Sequence, residues 1–120
     1  MIELAEAERI AADWIDAWNA HDLDRVMAHY ADDLVFVSPL IVARTGRKDG
    51  TIRSKSELAD YFAASLGPGS LLRFELIAVC AGVSSISLHY QNHRQEDVVE
   101  TKVLDADGRA VQVFVHHRPS

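Results

Sequence analysis

After Gly67-Pro68-Gly69 the chain has room only for strands joined by turns. Four runs, Leu71 to Cys80, Val83 to Asn92, Val98 to Leu104 and Arg109 to His117, are rich in β-branched and apolar residues or alternate with polar ones. The links are Ala81-Gly82, the region around Arg94-Gln95, and Asp105-Ala106-Asp107-Gly108. None is long enough for a crossover helix, so neighbouring strands run antiparallel. A meander of this kind needs a cover for its apolar face, and the first half of the chain supplies helices.

The first helix is expected over Glu3 to Asn19, with Leu4, Ile10, Trp14 and Trp18 as its apolar stripe. A short second helix, Leu23 to Tyr30, is capped by Asp22. Leu34 to Ser38 reads as a strand stopped by Pro39, and Leu40 to Arg44 as a second short strand. A third helix, Lys55 to Leu66, carries a capping box in Ser54 and Glu57, with Leu58, Phe62 and Leu66 on its buried side. Asp32 and Asp33 suit capping and turning. The expected fold is α+β: three N-terminal helices packed in a strongly curved, mainly antiparallel sheet, a cone with one central cavity, in a single domain over residues 1–120.

Composition narrows the function. The net charge is −6 with both signs interspersed, which does not suit an electrostatic nucleic-acid binder. No apolar run is long enough to cross a membrane. The opening MIELAEAERI lacks the basic start and apolar run of a secretory leader, and Cys80 is a lone cysteine, so a reducing cytoplasm is the expected home. There is no HExxH, no zinc-type Cys/His spacing, no GxGxxG, no phosphate-binding loop and no GxSxG elbow. His116 and His117 are adjacent on a strand, point to opposite faces and cannot share one ion. Neither a metal nor an organic cofactor is expected.

The segment WIDAWNAHDLDRVMAHYADDLVFVSP, from Trp14 to Pro39, resembles the opening of the nuclear transport factor 2-like superfamily. That superfamily includes ketosteroid isomerases, SnoaL-like polyketide cyclases and scytalone dehydratase. The last three strands, HYQNHRQEDVVETKVLDADGRAVQVFVHH, are similar to those of uncharacterised SnoaL-like proteins. The resemblance covers nearly the whole chain. It implies a cavity for a small hydrophobic molecule, worked by a carboxylate and a histidine without cofactor. It also implies a homodimer formed through the outer sheet face.

Everything chemical depends on which strand residues face that cavity. One set is Ser85, Ser87, His89 and Gln91 with Val98, Glu100, Lys102, Val111, Val113, Val115 and His117. The other is Ile86, Leu88 and Tyr90 with Val99, Thr101, Val103, Ala110, Gln112, Phe114 and His116. Alternation alone favours the second set as the core, which would leave Glu100 and His89 in solvent. The resemblance implies the first. In ketosteroid isomerases a neutral carboxylic acid on the second-last strand stands eight residues before the glycine of the final hairpin, and that offset from Gly108 reaches Glu100. On that reading Glu100 is the proton carrier, His89 lies opposite or nearly opposite it, and Lys102 shares the face and can keep Glu100 ionised. Trp14, Trp18, Phe36 and Tyr61 then shape the pocket with Val113 and Val115, and His117 sits at its edge.

The ketosteroid pattern is incomplete. Trp14 stands where those isomerases carry a tyrosine, and Ser38 where they carry the proton-abstracting aspartate. Steroid isomerisation by that mechanism is therefore not expected, and Ser38 is a candidate of the second rank. The expectation is a cofactor-free acid–base enzyme of isomerase, cyclase, dehydratase or hydrolase type. The alternative is a non-catalytic ligand-binding or interaction domain. A hollow below roughly 300 Å³, too small for a ligand, would point instead to an accessory role. The basic stretch Arg44 to Arg53 fits equally a cover over the mouth that favours an anionic ligand and a plain solvated surface.

Overall fold

The computed structural model describes residues 1–119. Four helices precede or interrupt a six-stranded sheet: α1 (Leu4–Asn19), α2 (Leu23–Met27), β1 (Tyr30–Val37), α3 (Pro39–Thr45), β2 (Thr51–Ser54), α4 (Lys55–Ala63), β3 (Glu75–Ala81), β4 (Ser85–Gln91), β5 (Asp97–Leu104) and β6 (Ala110–Arg118). The sheet order is β2-β1-β6-β5-β4-β3. Only β1 and β6 pair in parallel; all other neighbours are antiparallel, and the sheet stays open. The α+β expectation holds.

Two local readings are corrected. Leu40 to Arg44 is helix, not strand. Ser38 caps it by accepting from the Leu40 N–H at 3.2 Å, Pro39 occupies the first turn, and Gly46 closes it in the left-handed region at φ 75°. Proline's fixed φ and missing N–H suit a first helical turn, and this outweighs the strand preference of Ile41 and Val42. The second correction is at Leu71 to Phe74, which pairs with no strand. Asn19 holds Phe74 from both sides, donating to its carbonyl at 2.9 Å and accepting from its N–H at 2.7 Å. His21 donates to the Leu72 carbonyl at 2.8 Å. The end of α1 thus lays Leu72 and Phe74 across the open end of the sheet.

The core lies between α1, α4 and the concave face. Trp14 and Trp18 bury one face of α1 against Phe62, Phe74 and Tyr90, with ring centroids 4.8 Å (Trp18–Phe62), 5.9 Å (Trp14–Phe74) and 5.4 Å (Trp14–Tyr90) apart. Such contacts contribute about 0.5–1.5 kcal/mol each beyond burial. Register decides what this face carries. Leu88 pairs with Glu100 and Glu100 with Val115; Ile86 pairs with Lys102 and Lys102 with Val113. The inner face is therefore Ile86, Leu88 and Tyr90 on β4, Val98, Glu100 and Lys102 on β5, and Val113, Val115 and His117 on β6.

Candidate functional site

Glu100 faces inward, and His89 does not. The 92–96 turn sets Leu88, not His89, opposite Glu100. One residue of register reverses a strand's faces. His89 lies on the outer face, its Nε2 2.9 Å from Asp97 Oδ1, with its side chain 38% exposed. It is removed from the candidate site. The apolar alternation of β4 was the sound signal for that strand, while the offset from Gly108 was sound for β5. The first set proposed from sequence supplies the real inner face on β5 and β6, and the second set supplies it on β4.

The concave face and the helices enclose a chamber of about 120 Å³. Its walls are aromatic: Trp14, Trp18, Phe36, Tyr61, Phe62, Phe74 and Tyr90. Ser38, Val98, Glu100, Val115 and His117 also line it, and Leu40, Arg44, Ser65, Leu72, Asn92 and His93 stand toward the mouth. Nearly every candidate from the sequence is thus gathered at one point. Val113 is the exception besides His89: it is buried in the core beside Lys102 and does not line the chamber. Ser38 lines it, but its hydroxyl oxygen is engaged in capping α3.

Glu100 is 4% exposed and is the only carboxylate among the described residues lining the chamber. Tyr90 donates its hydroxyl to Glu100 Oε1 at 2.6 Å, a charge-assisted bond. Burial, then the charge of Glu100, holds the Tyr90 hydroxyl well above its usual range, so it remains a donor at neutral pH. Oε2 of Glu100 has no hydrogen-bond partner. Lys102 Nζ is 3.8 Å from that oxygen and 3.4 Å from the centroid of the Trp14 ring. Lys102 is 3% exposed, and burial is the main cause of its fall to about 7; the neighbouring carboxylate pulls the other way without cancelling it. Trp14 is fixed in turn by donating from Nε1 to the Tyr30 hydroxyl at 3.1 Å.

Two further groups bear on chemistry. The Trp18 ring lines the chamber, while its Nε1 is buried and has no acceptor. His117 shares the chamber with Glu100, and burial is the main cause lowering its pKa below the ordinary histidine value. The histidine that shares the Glu100 face and lines the chamber is His117, not His89. Tyr90, Phe74 and Leu72 were missed as lining residues. For Tyr90 the signal was present in the apolar alternation of β4. Phe74 and Leu72 are placed by side-chain hydrogen bonds from α1, which no periodicity reports. Among the described residues no group of three His, Cys, Asp or Glu side chains converges in a way that could hold a metal ion.

Helices laid in a curved open sheet, with one aromatic chamber at the end, define an α+β protein of the NTF2-like, cystatin-like kind. The chain belongs to the SnoaL-like domain family, whose model matches residues 11–118. It is similar to the crystal structure of a SnoaL-like protein of unknown function from Burkholderia thailandensis, at 38% identity over 98% of both chains, with a TM-score of 0.93. An NTF2-like protein of unknown function from Cytophaga hutchinsonii shares the fold at 11% identity, covering 99% of this chain and 93% of that one, TM-score 0.73. So does a protein of unknown function with a cystatin-like fold from Methylobium petroleophilum, at 13% identity, 99% and 80% coverage and TM-score 0.76. No curated protein matches the chain in sequence. No helix among the described residues is long and apolar enough to cross a membrane.

Proposed function

We propose that the chamber binds a small, largely apolar organic molecule and that Glu100 exchanges a proton with it, with no metal or organic cofactor. The observation that carries this reading is the state of Glu100. Its carboxylate is buried in an aromatic wall, held by Tyr90 through one oxygen and free of hydrogen bonds at the other. A desolvated, oriented carboxylate is a competent proton acceptor that takes a proton from the ligand and returns it to the product, and Lys102, 3.8 Å away and off the chamber lining, is its charge partner. His117 is the second titratable group on the same chamber. The reaction class that fits is proton transfer at or beside a carbonyl, the step common to isomerisation, cyclisation and dehydration.

Size favours a compact substrate. The chamber is near the ~150 Å³ that accommodates benzene in an engineered protein cavity, well short of a steroid. The same volume lies below the roughly 300 Å³ of an ordinary ligand pocket and so favours a second reading, a non-catalytic interaction or accessory domain. Exchange into D2O separates them. With phenylacetone as probe, the wild-type protein should accelerate loss of the α-proton signal in NMR, and Glu100→Gln should bind the ketone yet lose roughly 10²-fold or more of that rate. No acceleration by the wild type would leave only the non-catalytic reading. We also propose a homodimer through the outer sheet face, where Val99 and Phe114 are 40% and 38% exposed. Sedimentation at micromolar concentration decides that point.

A further inference from the structure

On one side the chamber adjoins a surface hollow of about 330 Å³. Arg44, Ser65, Leu72 and His93 line both, and the hollow's other walls are Ala64, Ser70 and Leu71. On this side the passage from solvent to Glu100 runs past an arginine and a histidine. Among the described residues no carboxylate lines the outer hollow, and Glu100 is the only one lining the chamber. In a chain of net charge −6, this is a local reversal of sign.

Arg44 is also held in place. It sits at the end of α3, donates from Nη1 to Ser65 Oγ at 3.1 Å, and lies over the Tyr61 ring at 5.4 Å from the centroid. Among the described residues it has no ion-pair partner. The next arginine, Arg47, is turned away into a two-pronged contact with Glu57, and Arg53 reaches Asp49. Only Arg44 of this basic stretch lines the passage. A guanidinium fixed by stacking and one bond keeps donors in reserve, and its planar fork matches a carboxylate.

From this arrangement we propose that the ligand is a small carboxylic acid of amphiphilic shape. Its ring-sized apolar body fills the aromatic chamber, and its carboxylate lies in the passage against Arg44. The proposal rests on the reading of the chamber as a ligand site, and it adds the charge and the orientation: the apolar body, with the carbon that exchanges its proton, toward Glu100, and the anion outward. The outward placement is required, because a carboxylate beside Glu100 would set two buried like charges together.

The test uses 3-phenylpropionate and 4-phenylbutyrate, each against its primary amide, followed by the fluorescence of Trp14 and Trp18 at low salt. At least one acid should bind the wild-type protein ten-fold or more tighter than its amide, with the preference shrinking as salt is added. Arg44→Gln should bring the acid down to the amide's affinity and leave the amide unchanged, which also reports that the variant is folded. Equal affinity of acid and amide for the wild type would overturn the anion assignment while leaving the chamber as a site for neutral molecules. A preference that survives Arg44→Gln would overturn the role of Arg44. If neither acids nor amides bind, the chamber reading falls and this inference with it.

Discussion

Replacing Lys102 by Met tests the electrostatics beneath Glu100. The amine is buried between the Trp14 and Tyr30 rings, 3.4 and 5.6 Å from their centroids, and its pKa falls to about 7 from an ordinary 10.5. The sign follows from proton counts. Between those two values the unfolded chain holds a proton on this lysine that the folded protein does not. Stability must therefore rise with pH across the window. At about 1.4 kcal/mol per unit, the rise between about pH 7 and about pH 9.5 is roughly 3 kcal/mol, an order-of-magnitude figure. Methionine fills similar space and carries no proton, so Lys102→Met should lack this rise. The stability difference between wild type and variant should accordingly grow by roughly 3 kcal/mol over that interval, read from urea unfolding with unchanged m-values. The Glu100→Gln/Lys102→Met double variant controls for titration of the orphaned carboxylate. Parallel pH curves for all three proteins would show that Lys102 keeps an ordinary pKa and that the poised pair does not exist.

Two substitutions check the corrected positions. Ser38→Ala should cost about 0.5–2 kcal/mol in urea unfolding, the usual cost of a lost helix cap, because Ser38 oxygen caps α3. His89→Asn should leave chamber ligands bound as in the wild type by tryptophan fluorescence, since His89 lies on the opposite sheet face beside Asp97.

The parts of the fold legible in sequence are those governed by one local rule. The caps Asp22 and Ser54 mark α2 and α4 where the sequence places them, and each accepts the N–H three residues on. The stripe of Trp14 and Trp18 fixes the buried face of α1. Helix ends are less legible. The second helix stops at Met27, not Tyr30, because β1 takes Tyr30 as its first residue and buries it completely. Strand β2, which pairs Thr51 and Ile52 with Val37 and Phe36, carries too few residues to announce itself.

The site was readable to the extent that it is periodic. Glu100, Val115 and His117 followed from one strand offset and the alternation beyond it. His89 failed because the 92–96 turn, with Gln95 at φ 60°, carries a residue count that composition does not reveal. The unpartnered Trp18 N–H and the Arg44 passage come from packing between distant elements, and no local pattern encodes them.

The central claim, that Glu100 meets whatever occupies the aromatic chamber, is most directly measured by NMR of protein labelled at the glutamate carboxyl carbons and the tryptophan indole nitrogens. On titration with benzyl alcohol, whose ring matches the chamber and whose hydroxyl both donates and accepts, the Glu100 carboxyl and Trp18 indole signals should move together and saturate at the same concentration. Indole signals that shift while the Glu100 signal stays fixed would contradict the account, because the chamber would then fill without reaching its carboxylate.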